Sequence, residues 1–143
     1  MAFSADKRDG TYYCTATFAG GIGYDNKRKQ WEGATLEHSK NFVMKLSFRE
    51  TVKGQTRDDE YDVTITDEGS SDAYNCFGFD GNPPFLTHDR DETALSCISI
   101  LTHYKFNFDN NRFIKIYTFG YTNGVDNNNN TPFISGGLCT KLQ

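Results

Sequence analysis

Cys14, Cys76, Cys97 and Cys139 carry the most definite chemistry in the sequence. None stands in a C-x-x-C pair, so neither a zinc ribbon nor a thioredoxin-like dithiol fits. An even number of cysteines suits disulfides in an oxidising compartment, and four allow three pairings. Cys14 and Cys139 lie near the two ends, and chain termini often come close together in a folded domain. Cys76 and Cys97 flank a loop containing Pro and Asp. The expected pairing is therefore Cys14–Cys139 with Cys76–Cys97, against the alternative of four buried free thiols.

The other reactive side chains assemble into no catalytic motif. His38, His88 and His103 are not at metal-ligand spacing, and H-E-x-x-H is absent. His38 and His88 sit in polar loops and read as solvated. His103 stands beside Tyr104 in an alternating run. As a general base it needs a carboxylate partner, which its sequence neighbours do not supply, so cross-strand packing is the simpler role. Asp58-Asp59-Glu60 and Asp89-Arg90-Asp91-Glu92 read as solvated loops, because a glycosidase needs two carboxylates aimed across a cleft. Gly20-Gly21-Ile22-Gly23 fits neither the dinucleotide nor the P-loop pattern. No catalytic residue, cofactor site or metal ligand set is assigned.

Asp126-Asn127-Asn128-Asn129-Asn130 offers alternating oxygen ligands that could hold Ca2+, yet it lacks the Gly and bidentate Glu of an EF-hand loop. A turn exploiting asparagine's tolerance of left-handed backbone is the expected role. Asn129-Asn130-Thr131 is formally a glycosylation sequon, meaningful only in a eukaryotic secretory setting.

The elements that must position these residues are strands. Apolar residues alternate with polar ones repeatedly, and no convincing 3.6-residue period appears. Tyr12, Cys14, Ala16 and Phe18 share one face; Phe42, Met44, Leu46 and Phe48 another; Tyr61, Val63 and Ile65 a third. Strand-like runs cover 11–18, 30–36, 42–49, 61–66, 73–79, 93–108, 113–121 and 132–142. Gly20–Gly23 is suited to a bulge or sharp bend. These runs predict an all-β domain, an antiparallel β-barrel or sandwich of about eight strands, stapled by disulfides.

Composition bounds the rest. The 143 residues amount to one domain, and a net charge of −4, evenly spread, argues against a nucleic-acid binder. No run of about 18 apolar residues is present, so no integral transmembrane helix is expected. Aromatic residues make up 15% of the chain, enough to build a core and argue against disorder. Met1-Ala2-Phe3-Ser4-Ala5 before a charged stretch looks like the tail of a signal-peptide cleavage site. Residues 1–10 are thus expected to be a disordered remnant of that junction, with residues 11–143 forming a single β domain.

Tyr13-Cys14, Gly20-Gly21-Ile22-Gly23-Tyr24, Lys29-Gln30-Trp31-Glu32-Gly33 and Lys40-Asn41-Phe42-Val43, with Gly120-Tyr121, Asp126, Pro132 and Gly137-Leu138-Cys139, carry a resemblance. The chain resembles a group of small exported bacterial proteins of uncharacterised function. That resemblance implies export and a bacterial source, and no activity. The aromatic-x-Cys opening is similar to that of small periplasmic lysozyme inhibitors with a β-barrel fold. Trp31 near the first strands, followed by Gly33, loosely resembles the Gly/Trp feature of lipocalin-type barrels.

The functional expectation is a non-enzymatic periplasmic or secreted binding protein, an inhibitor or immunity-type protein acting on another protein. Loops on a rigid scaffold carry function, so the contact surface is expected in Gly20–Gly23, Asp25–Trp31 and Asp126–Asn130. Tyr24, Arg28, Trp31, Asp126 and Asn128 are the candidate binding residues. Two alternatives stand beside it: a barrel holding a small apolar ligand, and a hydrolase using His103 with a loop carboxylate.

Overall fold

The computed structural model describes residues 8–36, 39–52, 58–89 and 92–142. The described residues are all-β, with ten strands: β1 (Gly10–Asp25), β2 (Gln30–Thr35), β3 (Phe42–Val52), β4 (Asp58–Asp67), β5 (Tyr74–Asn75), β6 (Leu86–Asp89), β7 (Glu92–Ser99), β8 (Thr102–Asn107), β9 (Arg112–Tyr117) and β10 (Phe133–Lys141). Nine form one antiparallel curled sheet in the order β5-β4-β3-β1-β10-β9-β8-β7-β6, and β2 pairs with the second half of β1. The sheet is a half-barrel. Its far edges meet through isolated bridges, Glu60 to Phe85 and Phe77 to Ile98.

The disulfides pair as expected. Cys14–Cys139 joins directly opposed residues of β1 and β10, and Cys76–Cys97 sits at the seam where the sheet edges meet. At that seam the Cys76 N–H donates to the Val63 carbonyl of β4 at 2.8 Å, while Phe77 and Ile98 of β7 exchange hydrogen bonds.

Alternation explains the interior. Phe42, Met44 and Leu46 of β3 and Tyr61, Val63 and Ile65 of β4 are buried, as their period-2 spacing requires. Phe42 meets Tyr104 and Phe113 edge-on, with ring centroids 5.1 and 5.0 Å away. Tyr12, Phe106 and Phe108 continue the packing at 4.8–6.4 Å. These rings occupy the half-barrel's interior, so an apolar ligand there would have to displace them.

Four sequence expectations are corrected. A bulge between Ala16 and Phe18 adds Thr17 to β1, reverses the facing of everything beyond it, and leaves Phe18 63% exposed. Phe18 therefore leaves the inward face of Tyr12 and Cys14, and its ring covers Gly136 on the outer surface. Gly20–Gly23 is neither bulge nor bend. It runs straight through β1, and a Cβ on Gly21 would lie 2.3 Å from the Pro132 carbonyl oxygen, so this glycine permits close backbone approach. The single run 93–108 is two strands, β7 and β8, joined at Ile100-Leu101. That division and the short β6 raise the strand count from about eight to ten. Finally, the ordered domain begins before residue 11. The Arg8 carbonyl accepts from the Tyr12 hydroxyl at 2.8 Å, and the Asp9 carboxylate accepts from the Phe48 N–H at 2.7 Å. Residues 1–7 lie outside the described residues.

Ile100 and Leu101 both have left-handed backbone, φ 42° and 66°, and form a two-residue hairpin turn between Ser99 and Thr102. Such turns demand two positive φ angles and favour Asn-Gly, whereas β-branched Ile opposes them. Replacing Ile100-Leu101 by Asn-Gly is expected to stabilise the protein by about 1–2 kcal/mol, read as a higher urea midpoint at unchanged slope.

Candidate functional site

Four of the five candidate binding residues, from segments about 100 positions apart, meet at one end of the half-barrel. The β1–β2 hairpin places Tyr24 opposite Trp31, with ring centroids 5.6 Å apart. The segment 118–132, between β9 and β10, returns across this hairpin. Pairing of β10 with β1 ends at Gly21–Phe133, and the Ile22 N–H then donates to the Pro132 carbonyl at 3.3 Å. One further step along the strand, the Asn128 side chain takes over: its Oδ1 accepts from the Tyr24 N–H and its Nδ2 donates to the Tyr24 carbonyl, both at 2.7 Å. A primary amide has the same donor and acceptor groups as a peptide unit, so Asn128 substitutes for a missing residue of the neighbouring strand.

The same segment brings Asp126 to Trp31, whose Nε1–H donates to Oδ1 at 2.9 Å. Tyr121 stands perpendicular to the indole at 5.3 Å. Tyr117, at the foot of the segment, stacks on Phe133 at 5.7 Å and lies beside Phe119 at 5.7 Å, and its hydroxyl donates to Asn130 Oδ1. Phe119, Tyr121 and Val125 remain exposed. Arg28 is not brought into the cluster. It sits in the turn 26–29, its side chain 71% exposed and 3.8 Å from the Asp25 carboxylate.

The asparagine run works through side chains. None of Asn127–Asn130 has positive φ, which corrects the left-handed expectation; among described asparagines only Asn111 does, at 60°. Asn127 accepts from the Asn129 N–H at 3.0 Å, while Asn128 and Asn130 hold Tyr24 and Tyr117. Among the described residues no group of three His, Cys, Asp or Glu could hold a metal ion.

The histidines take modest places. His103 faces outward on β8 and packs on the Phe79 ring at 5.4 Å; His88 lies in β6 rather than in a loop, its Nδ1 3.3 Å from Thr93 Oγ1. His38 lies outside the described residues. The ring partner of His103 comes from the turn after β5 rather than from a paired strand, where its opposite residues are Ile98 of β7 and Ile116 of β9.

Lys115 is the residue that sequence reasoning missed. It is buried, with Nζ 5.6–5.9 Å from the ring centroids of Phe42, Tyr104 and Phe133. Its position two residues after Phe113 and two before Tyr117 puts it on the inward face, and that parity was the available signal. Burial lowers its pKa below the ordinary 10.5, with Lys40 lowering it further and Asp67 opposing. Tyr104 is pushed the other way, upward, first by burial and then by Asp67.

No protein-family model, curated protein or solved structure matches this chain.

Two outcomes follow from this geometry. Asn128→Ala removes both partners of the Tyr24 backbone, so the Tyr24 amide is expected to exchange with deuterium faster while amides of β3 and β4 keep their rates. For Lys115, a native pKa below the unfolded value means the unfolded state holds the extra proton in the window between them. Stability of the wild type relative to Lys115→Met is therefore expected to rise as pH climbs towards 10.5, measured by urea unfolding at stepped pH.

Proposed function

We propose that this chain is a non-enzymatic exported binding protein that contacts another protein through the barrel end around Trp31 and Tyr121, as an inhibitor or immunity-type protein. One observation carries the reading: exposed rings are held on pinned backbone. Tyr121 and Phe119 project from a segment fixed by Asn128, Asp126 and Asn130 against β1, β2 and β9. Protein-binding hot spots are rich in Trp and Tyr, and a surface ordered beforehand loses less entropy on association. The strained Ile100-Leu101 tip projects apolar side chains, 61% and 52% exposed, from the same end, because Thr102 pairs with Tyr117 where segment 118–132 begins.

Export is supported by the two disulfides, which are consistent with an extracellular or periplasmic protein. The resemblance to small exported bacterial proteins points the same way.

The test is capture from a cell-envelope extract on immobilised protein, followed by titration of the recovered partner. Tyr121→Ala is expected to weaken binding about 30-fold, the effect of a hot-spot residue contributing about 2 kcal/mol. Ile114→Ala, on the outer sheet face away from this end, is expected to bind as the wild type does. Failure to recover a stoichiometric partner, or a partner indifferent to Tyr121→Ala, overturns the reading.

A further inference from the structure

We propose that the free edge of β2 pairs with β2 of a second copy of this chain, antiparallel about a twofold axis at Gly33. The interaction uses backbone groups rather than the side chains of the barrel end, and it stands independently of the function proposed above.

The hydrogen bonding of β1 fixes which groups are free. Tyr24 directs its N–H and C=O away from β2, to Asn128, and the Ile22 N–H goes to Pro132 on that same side. On the other side, the Ala19 carbonyl accepts from the Leu36 N–H at 3.2 Å. Alternation along an antiparallel ladder then gives Gln30, Glu32 and Ala34 the bonds to β1, and turns the N–H and C=O groups of Trp31, Gly33 and Thr35 outward. Among the described residues, β2 pairs only with β1.

This edge lacks the usual protection. Exposed edges are commonly blunted by Pro, Lys, a bulge or brevity. Gln30–Thr35 contains no Pro or Lys, Glu32 is its one charged residue, and its register with β1 is unbroken. By contrast the edge strands at the seam, β5 and β6, have two and four residues. The strand is open at its centre too, since a Cβ placed on Gly33 would meet no heavy atom within 4 Å.

A second β2 fits in one register better than in the others. Gly33 opposite Gly33 of the partner subunit places Trp31 opposite Thr35 of the partner subunit, and the reverse. Every outward-facing residue of both strands is then paired, each pair exchanging two hydrogen bonds. Glu32 falls opposite Ala34 of the partner subunit, so no like charges face each other. A shift of two residues either way leaves outward groups of one strand end unpaired. The result is an isologous contact that closes at two copies.

Sedimentation equilibrium over a wide concentration range reads the assembly. A reversible dimer is expected for the wild type. Gly33→Pro removes only an outward-facing donor, so this variant is expected to be monomeric with unchanged β content. Gly33→Cys is expected to form a covalent dimer under mild oxidation, faster than Thr35→Cys, whose opposite residue is Trp31; this comparison keeps the test decisive if Gly33→Pro fails to fold. A wild type that stays monomeric at millimolar concentration overturns the proposal, including one whose edge instead binds an added extended peptide. So does a Gly33→Pro variant that dimerises undiminished, or equal cross-linking of the two cysteine variants.

Discussion

The structure depends on satisfying both edges of β1. This strand runs from Gly10 to Asp25 and pairs with β10 over Tyr12–Gly21 on one side, and with β3 over Gly10–Cys14 and then β2 over Gly20–Asp25 on the other. Each backbone N–H and C=O shielded from water needs a partner, and one left unmade costs about 1–3 kcal/mol. No single neighbour is long enough. Where β3 ends and β2 has not begun, the Asn41 side chain fills the gap, its Oδ1 accepting from the Ala16 N–H at 2.9 Å. Where β10 ends, Asn128 does the same for Tyr24. Two side-chain amides thus stand in for strand that the chain does not supply.

The barrel end inherits its form from that requirement. Asn128 reaches Tyr24 only if segment 118–132 lies across the β1–β2 hairpin. That path also carries Asp126 to the indole of Trp31 and Tyr121 into a perpendicular contact with it. The aromatic cluster is therefore tied to the same hydrogen bonds that cap the ladder. Deeper in, Lys115 occupies an inward position among Phe42, Tyr104 and Phe133. The electron-rich ring faces offset part of the desolvation its ammonium suffers there.

What the sequence made legible was periodic or covalent. The inward faces of β3 and β4 followed from strict alternation at Phe42, Met44 and Leu46 and at Tyr61, Val63 and Ile65. The disulfide pairing followed from where the cysteines stand. Tyr24, Trp31, Asp126 and Asn128 were singled out from unusual local segments, and the fold joins them, although nothing local encodes that meeting. What was hidden involved a change of parity or a residue acting against its preference. Thr17 is an ordinary strand residue, so its extra place in β1 leaves no mark in the sequence, and alternation alone assigns Phe18 to the inward face. Ile100-Leu101 carries no turn signal, because its chemistry opposes the backbone it adopts. The composition of the asparagine run signals backbone tolerance, whereas its side-chain amides do the work.

The Cys14–Cys139 bridge has a mechanical meaning as well. It is a covalent tie between the first and last long strands, which lie side by side at the middle of the sheet. Tension applied to the two ends of the chain would pass from one sulfur to the other. The seam, the hairpins and the pinned segment over Trp31 would carry none of it. Only reduction of that one bond would let a pulling force reach the rest of the fold, which makes the local redox state, rather than the strength of the sheet, the gate to mechanical unfolding.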